Sequence, residues 1–175
     1  MNVERFWQLV ESSRQGADPV RSTGNMERQL GELRALLLKL PPEEIIEFRH
    51  QFFEHMNLAF KWELWGAAHI IAGGCSDDGF SDFRSWLISM GRRVFEGALS
   101  NAESLLDVAD APGIEDVFFE DFSAVPAQIY AERTGREIPA YEGPHPLTPM
   151  GEPWSEDGRE LEQRFPKLWA RYRAG

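Results

Sequence analysis

The residues best suited to chemistry lie near the middle of the chain, around a glycine-rich turn. Asp77 and Asp78 follow this turn directly. Arg84 and Arg92 are eight positions apart, a spacing that places both on one face if a single helix runs through them. The planar donors of arginine match carboxylate and phosphate groups. With Trp65 from the preceding segment, these four charged residues form a candidate site for an anionic ligand.

A purely structural role for Arg84 is the alternative. The residue lies between Phe83 and Leu87, on or beside the apolar stripe of its predicted helix. A buried and unpaired charge is very costly, so the guanidinium must find a carboxylate or backbone carbonyls. We therefore also consider an internal tie from Arg84 to another helix.

A second candidate is a run of acidic residues. Positions 101–135 hold eight acids and only one base, Arg133. Clustered charge of one sign raises the encounter rate with an oppositely charged partner. This predicts a surface for a basic protein partner, and the alternative is an ordinary solvated face. The residues chosen as candidate contacts are Glu115, Asp116, Glu120 and Asp121.

Other patterns fall short of a catalytic or metal-binding motif. Cys75 precedes a helix, but two carboxylates follow it and oppose a lowered thiol pKa. Glu47, His50 and Glu54 share one helix face, yet a di-iron bundle needs a second Glu-x-x-His helix and the sequence lacks one. We therefore expect no metal, no cofactor and no catalytic residue.

The composition bounds the class of protein. The chain has 175 residues, a formal net charge of −11, 42% hydrophobic residues and 12% aromatic residues. This aromatic content can build a core, which excludes wholesale disorder. The acidic balance argues against a nucleic-acid binder. We also expect no membrane segment and a cytoplasmic location, because no long apolar run and no secretory signal is visible.

Apolar residues recur at intervals of three and four through most of the chain, which is typical of helices. Trp62 and Trp86 lie off these stripes and are candidates for lining a groove or an interface. The five prolines of 135–154 predict an extended segment before the last helix. The predicted helices cover 3–13, 25–40, 42–58, 58–72, 77–98, 101–111, 114–134 and 155–173.

The expected fold is all-α. We predict a single domain over 1–175, an irregular bundle of about six or seven helices. The segment 58–72 is apolar nearly all round and is expected at the centre. Pro126 and Pro166 are expected to kink or split the helices that contain them.

The motifs around these helices resemble bacterial domain-of-unknown-function family 4240. The resemblance covers about residues 3–130 and is strongest in a pattern of the form Asp-Asp-x-Phe-x-x-Phe-Arg-x-Trp-Leu-Ile-x-x-Gly. It implies a bacterial source and carries no activity with it. The matching residues are Phe6-Trp7, Leu64-Trp65, Ala67-Ala68 and Asp77-Asp78 through Gly91.

Two functional hypotheses follow from these observations. The first is a non-enzymatic binding protein whose acidic surface at 101–135 meets a basic protein partner. The second is a small-molecule enzyme or anionic-ligand binder with a pocket between the helices at 58–72 and 77–98. The sequence favours the first hypothesis, because it contains no complete catalytic motif.

Overall fold

The described residues, 1–155 and 158–173 of a computed structural model, place all regular secondary structure in helices. An isolated β-bridge between Lys61 and Met150 is the one extended pairing in this part of the chain. The α-helices are α1 Val3–Ser13, α2 Asn25–Leu37, α3 Pro42–Leu58, α4 Trp62–Ala72, α5 Asp77–Ser89, α6 Arg92–Ser100, α7 Glu120–Thr134, α8 Gly158–Arg164 and α9 Pro166–Tyr172, with a 3₁₀ helix at Ala102–Asp107.

The all-α prediction is confirmed, with more helices than the six or seven expected. The predicted helix 77–98 divides at Gly91, whose φ of +91° favours glycine and ends the α-helical path. The predicted helix 155–173 divides at Phe165, because Pro166 starts a new first turn. The predicted start of that helix at Ser155–Asp157 includes two positions, 156 and 157, outside the described residues.

Local signals explain several helix starts. The Asn2 side chain accepts a hydrogen bond from the Arg5 backbone N–H at the start of α1, at 2.9 Å. Pro42 occupies the first turn of α3, where its missing N–H costs nothing. The predicted helix 114–134 was wrong at its start, since α7 begins at Glu120, but it continues without a break through Pro126.

The core forms around α5, which packs against α1, α3, α4, α6 and α7. The expectation that segment 58–72 is central is therefore corrected. Its helix α4 starts only at Trp62 and lies to one side, between α5 and α9. Trp86, a candidate for lining a groove or an interface, is 2% exposed and belongs to the core. The most deeply buried large side chains are Trp86, Phe6, Phe48, Phe52, Phe80, Phe83, Phe95 and Phe122.

After α7 the chain runs without helix from 135 to 155, as the prolines predict. It crosses the end of α3 and reaches α4 before α8 and α9 begin. Within the described residues, no helix has both the length and the hydrophobicity needed to cross a membrane.

Candidate functional site

Arg84 lies half-buried between α5 and the end of α3. Its Nη1 donates to the Met56 carbonyl oxygen at 3.0 Å, and its Nε donates to the Phe80 carbonyl oxygen at 3.3 Å. The guanidinium carbon lies 4.6 Å from the ring centre of Phe60 and 5.0 Å from that of Phe80. Burial lowers the pKa of Arg84 to about 10. The side chain thus satisfies a carbonyl in the last turn of α3, as a cation near a helix C-terminus does.

Trp65 is part of the same packed region. Its indole N–H donates to the Cys75 carbonyl oxygen at 2.9 Å. Its ring stacks on Phe80 at 5.0 Å and on Trp62 at 5.3 Å, with 8° between the planes in each case. The space between α4 and α5, where the ligand pocket was predicted, is therefore occupied at this point by stacked aromatic rings.

Arg92 does not share a helix with Arg84, so the prediction of one arginine-bearing face was wrong. It starts α6, beyond the break at Gly91. Its Nη1 lies 2.7 Å from Glu4 on α1, and its Nε lies 2.7 Å from Glu96. Hydrogen bonds and attraction from these two carboxylates raise the pKa of Arg92. The two arginines thus contact different elements.

Asp77 and Asp78 are exposed in the first turn of α5. The cap of this helix is Ser76, whose Oγ accepts a hydrogen bond from the Gly79 backbone N–H at 3.2 Å. Carboxylates in the first turn favour the positive end of the helix dipole. The five residues predicted as a ligand site are therefore spread over three helices, and their binding role stays a prediction.

Glu115 and Asp116, two acids of the chain before α7, accept hydrogen bonds from backbone N–H groups. Glu115 Oε2 accepts from the Met26 backbone N–H at 3.1 Å and so caps α2, whose N-cap residue is a glycine. Asp116 Oδ1 accepts from the backbone N–H groups of Val117 and Phe118, at 2.6 and 3.2 Å. Both carboxylates therefore stabilise the chain locally while remaining exposed to solvent.

Glu115 also borders an open groove of about 500 Å³ between α2, α5 and α7, whereas Asp116, the other predicted contact before α7, does not line it. Glu120 and Asp121, in the first turn of α7, line it together with Glu115. We call this the acidic groove, and all of its described charged lining is negative. Its lining residues are Met26, Glu27, Leu30, Asp82, Glu115, Phe118, Phe119, Glu120 and Asp121.

Two acids of the acidic groove were not among the predicted contact residues. Glu27 comes from α2 and Asp82 from α5, far in sequence from the acidic run. Partial burial raises the pKa of Asp82, and repulsion from Glu120 and Asp78 raises it further. No local sequence signal links these positions, because the groove forms only when three helices meet.

Other acids of the predicted 101–135 surface are engaged within the chain. Asp110 pairs with Arg171 at 2.6 Å, and Glu132 pairs with Arg34 at 3.0 Å. Glu103 accepts from the Lys167 backbone N–H at 2.6 Å. From the acidic run, the residues that line the acidic groove are Glu115, Glu120 and Asp121.

The remaining chemical candidates have inert surroundings. Burial raises the pKa of the Cys75 thiol to about 11, and Asp82 and Asp77 add to this effect. Such a thiol is largely protonated at neutral pH and is a poor nucleophile. Across residues 1–155 and 158–173, no three His, Cys, Asp or Glu side chains come together as a metal site would require.

Comparison with known protein families identifies the family of this chain. The family described as "Protein of unknown function (DUF4240)" matches residues 1–132, which is most of the chain. The protein belongs to this family, as its sequence motifs indicated. Comparisons with curated proteins and with solved structures find no match.

Proposed function

We propose that this protein is a non-enzymatic binding protein of the bacterial cytoplasm, and that its acidic groove receives a basic segment of a protein partner. The observation that supports the proposal most strongly is the convergence of five carboxylates from α2, α5, α7 and the chain before α7 on one open groove. Long basic side chains would bring the opposite charge to this surface.

The electrostatics of Asp82 agree with such a partner. Its raised pKa reflects partial burial and the repulsion of neighbouring acids. A lysine or arginine side chain placed between Asp82 and Glu120 would replace repulsion with attraction. The apolar side chains of Met26, Leu30 and Phe118 also line the groove, and they offer contact for the methylene stem of a long basic residue.

The packing around Arg84 and Trp65 weighs against the alternative of a ligand pocket between α4 and α5. Arg84 already donates to two backbone carbonyls, and Trp65 is stacked on two rings. We propose that the family motif containing Arg84 serves the fold, and that binding takes place at the acidic groove.

The test uses labelled amphipathic lysine-rich peptides and fluorescence anisotropy, at salt concentrations from about 50 to about 300 mM. A groove variant carries Glu27→Gln, Asp82→Asn, Glu120→Gln and Asp121→Asn. It spares Glu115 and Asp116, whose carboxylates accept backbone hydrogen bonds.

The matched control neutralises four other exposed acids and has the same net charge as the groove variant. We expect the groove variant to bind at least tenfold more weakly than the wild type, and the control to lose much less. Equal losses in both variants would show that net charge alone drives binding, and salt-insensitive binding would also contradict the proposal. The control substitutions are Glu43→Gln, Glu63→Gln, Glu137→Gln and Glu162→Gln.

A further inference from the structure

A second open groove lies where the segment after α7 crosses the end of α3. Its volume is about 620 Å³, which is within the range of small-molecule binding sites. The C-terminal part of α3 forms one wall, and residues 141–150 form the other. We call this the α3 groove. It is separate from the acidic groove and from the region between α4 and α5 where the sequence predicted a pocket.

Most of the lining of the α3 groove is apolar. Leu58 is 49% exposed and Met150 is 47% exposed, and both side chains line the groove. Pro144 and Pro146 add rigid apolar surface, and the Tyr141 ring adds aromatic surface. Exposed apolar side chains that meet in one patch indicate a binding site, whereas isolated ones do not. The groove therefore suits a ligand with an apolar body.

Hydrogen bonds within the chain hold the walls of the α3 groove in place. Asn57 Nδ2 donates to the Pro144 carbonyl oxygen at 2.6 Å. The Met150 N–H donates to the Phe60 carbonyl oxygen at 2.8 Å. Because the wall formed by 141–150 is tied at two places, the groove exists before a ligand enters. Binding then requires little ordering of the protein, which favours affinity.

Glu54 sets the sign of the charge in the α3 groove. Its Oε2 accepts a hydrogen bond from Gln51 Nε2 at 3.0 Å, and no donor in the described chain meets its Oε1. Burial raises the pKa of Tyr141, and the negative charge of Glu54 raises it further, so the field of this carboxylate reaches the ring. Among the described residues, no lysine or arginine lines the groove. The groove therefore favours a cation over an anion.

Aromatic rings lie beside this carboxylate. The Tyr141 ring stacks on Phe53 at 5.2 Å, and the guanidinium carbon of Arg49 lies 4.9 Å from the centre of the Phe53 ring. The His145 ring meets Tyr141 edge-on at 5.3 Å. Aromatic faces attract cations, organic ammonium groups included. The chain thus already places one of its own cations on this row of rings, and Tyr141 continues the row into the groove.

We infer that the α3 groove binds a small organic ammonium ion with an apolar body. The ammonium group lies beside the Glu54 carboxylate and the Tyr141 ring, and the apolar body contacts Leu58 and Met150. The limited volume of the groove selects for a small molecule. This inference does not depend on the proposed role of the acidic groove.

The test compares three probes of similar size that differ in charge: phenethylamine, phenethyl alcohol and phenylpropanoate. Proton–nitrogen correlation NMR spectra follow their titration into the full-length protein. We expect the amine to bind about fivefold more tightly than the alcohol, as one exposed ion pair permits, and the carboxylate to bind most weakly. The largest shifts should be those of Asn57, Leu58 and Tyr141, which line the groove.

Two pairs of variants separate the charged contact from the apolar one. Glu54→Gln should abolish the preference for the amine over the alcohol, whereas Glu43→Gln, at an exposed acid in the first turn of the same helix, should keep it. Leu58→Ser should weaken the binding of all three probes about threefold. Leu38→Ser, at a side chain that is 40% exposed and outside the groove, should leave binding unchanged.

Both groove substitutions replace exposed side chains, so these variants should melt close to the wild type and a loss of binding is not a loss of folding. An amine preference that survives Glu54→Gln, or that falls equally in Glu43→Gln, overturns the inference. Shifts confined to residues outside the α3 groove, or no shift with any probe at its solubility limit, also overturn it. None of these outcomes bears on the binding of basic peptides to the acidic groove.

Discussion

Replacement of Arg84 by methionine tests whether burial or ion pairing determines how much an arginine side chain contributes to the stability of this protein. Burial lowers the pKa of Arg84 to about 10, which corresponds to roughly 3 kcal/mol against the charged form. Hydrogen bonds from a charged donor contribute roughly 1.5–3 kcal/mol each, and contacts with aromatic faces roughly 0.5–2 kcal/mol each. Arg84 has two of each kind, so its contacts outweigh the cost of desolvation.

Arg84→Met keeps the apolar stem of the side chain but leaves the Met56 carbonyl without its donor. We expect a net loss of about 2 kcal/mol in the free energy of unfolding. For a protein of this size, that loss lowers the melting temperature by about 4–8 °C. Urea denaturation and thermal melting, both followed by far-UV circular dichroism, measure the two quantities.

The control is Arg92→Met, which removes an arginine with two close carboxylate partners. Arg92 is more exposed than Arg84, and solvent-exposed ion pairs contribute little to stability. We therefore expect Arg92→Met to melt close to the wild type. If it destabilises the protein as much as Arg84→Met does, the reasoning from burial is refuted.

Three further predictions concern single buried positions. Burial lowers the pKa of His55, so below about pH 6.5 the unfolded chain takes up a proton that the folded chain does not. Stability should fall from pH 7 to pH 5, and less steeply in His55→Phe, as measured by urea denaturation at each pH. Gly91→Ala should lower the free energy of unfolding by about 1–3 kcal/mol, because φ at this residue is +91° and the Glu11 side chain would lie 3.2 Å from the added Cβ. An unchanged melting temperature would contradict this prediction. Asn25→Ala should lower the free energy of unfolding by about 1–3 kcal/mol and increase proteolysis of residues 16–24. The reason is that the Asn25 amide donates to the carbonyl oxygens of Asp18, Arg21 and Gly113. Protease resistance equal to that of the wild type would contradict this prediction.

Local patterns predicted much of the fold. The bounds of α1 and α3 match the prediction, because their starts and ends depend on neighbouring caps, prolines and apolar spacing. The division at Gly91 was missed, because the apolar spacing continues on both sides of this glycine and does not indicate its positive φ. The start of α7 was also missed, because the apolar spacing of 114–119 resembles a helix although those residues form irregular structure.

The candidate site was predicted only in part. Three of its acids, Glu115, Glu120 and Asp121, came from one run of sequence, whereas Glu27 and Asp82 joined them through the meeting of α2 and α5 with α7. For Arg84, the sequence left a carboxylate or backbone carbonyls as partners, and the structure places it against two carbonyls. Partners that are distant in sequence leave no local pattern, so neither result followed from spacing alone.

The sequence by itself determined the helical class, the family and the excess of negative charge. These properties depend on residue types and on spacings within a turn or two of helix. Tertiary structure decided which charges remain open to a partner. Asp110 is paired with Arg171, which is distant along the chain, whereas Glu120 and Asp121 face an open groove. The physical reason is that Coulomb attraction and burial depend on distances through space, and packing of the helices sets those distances.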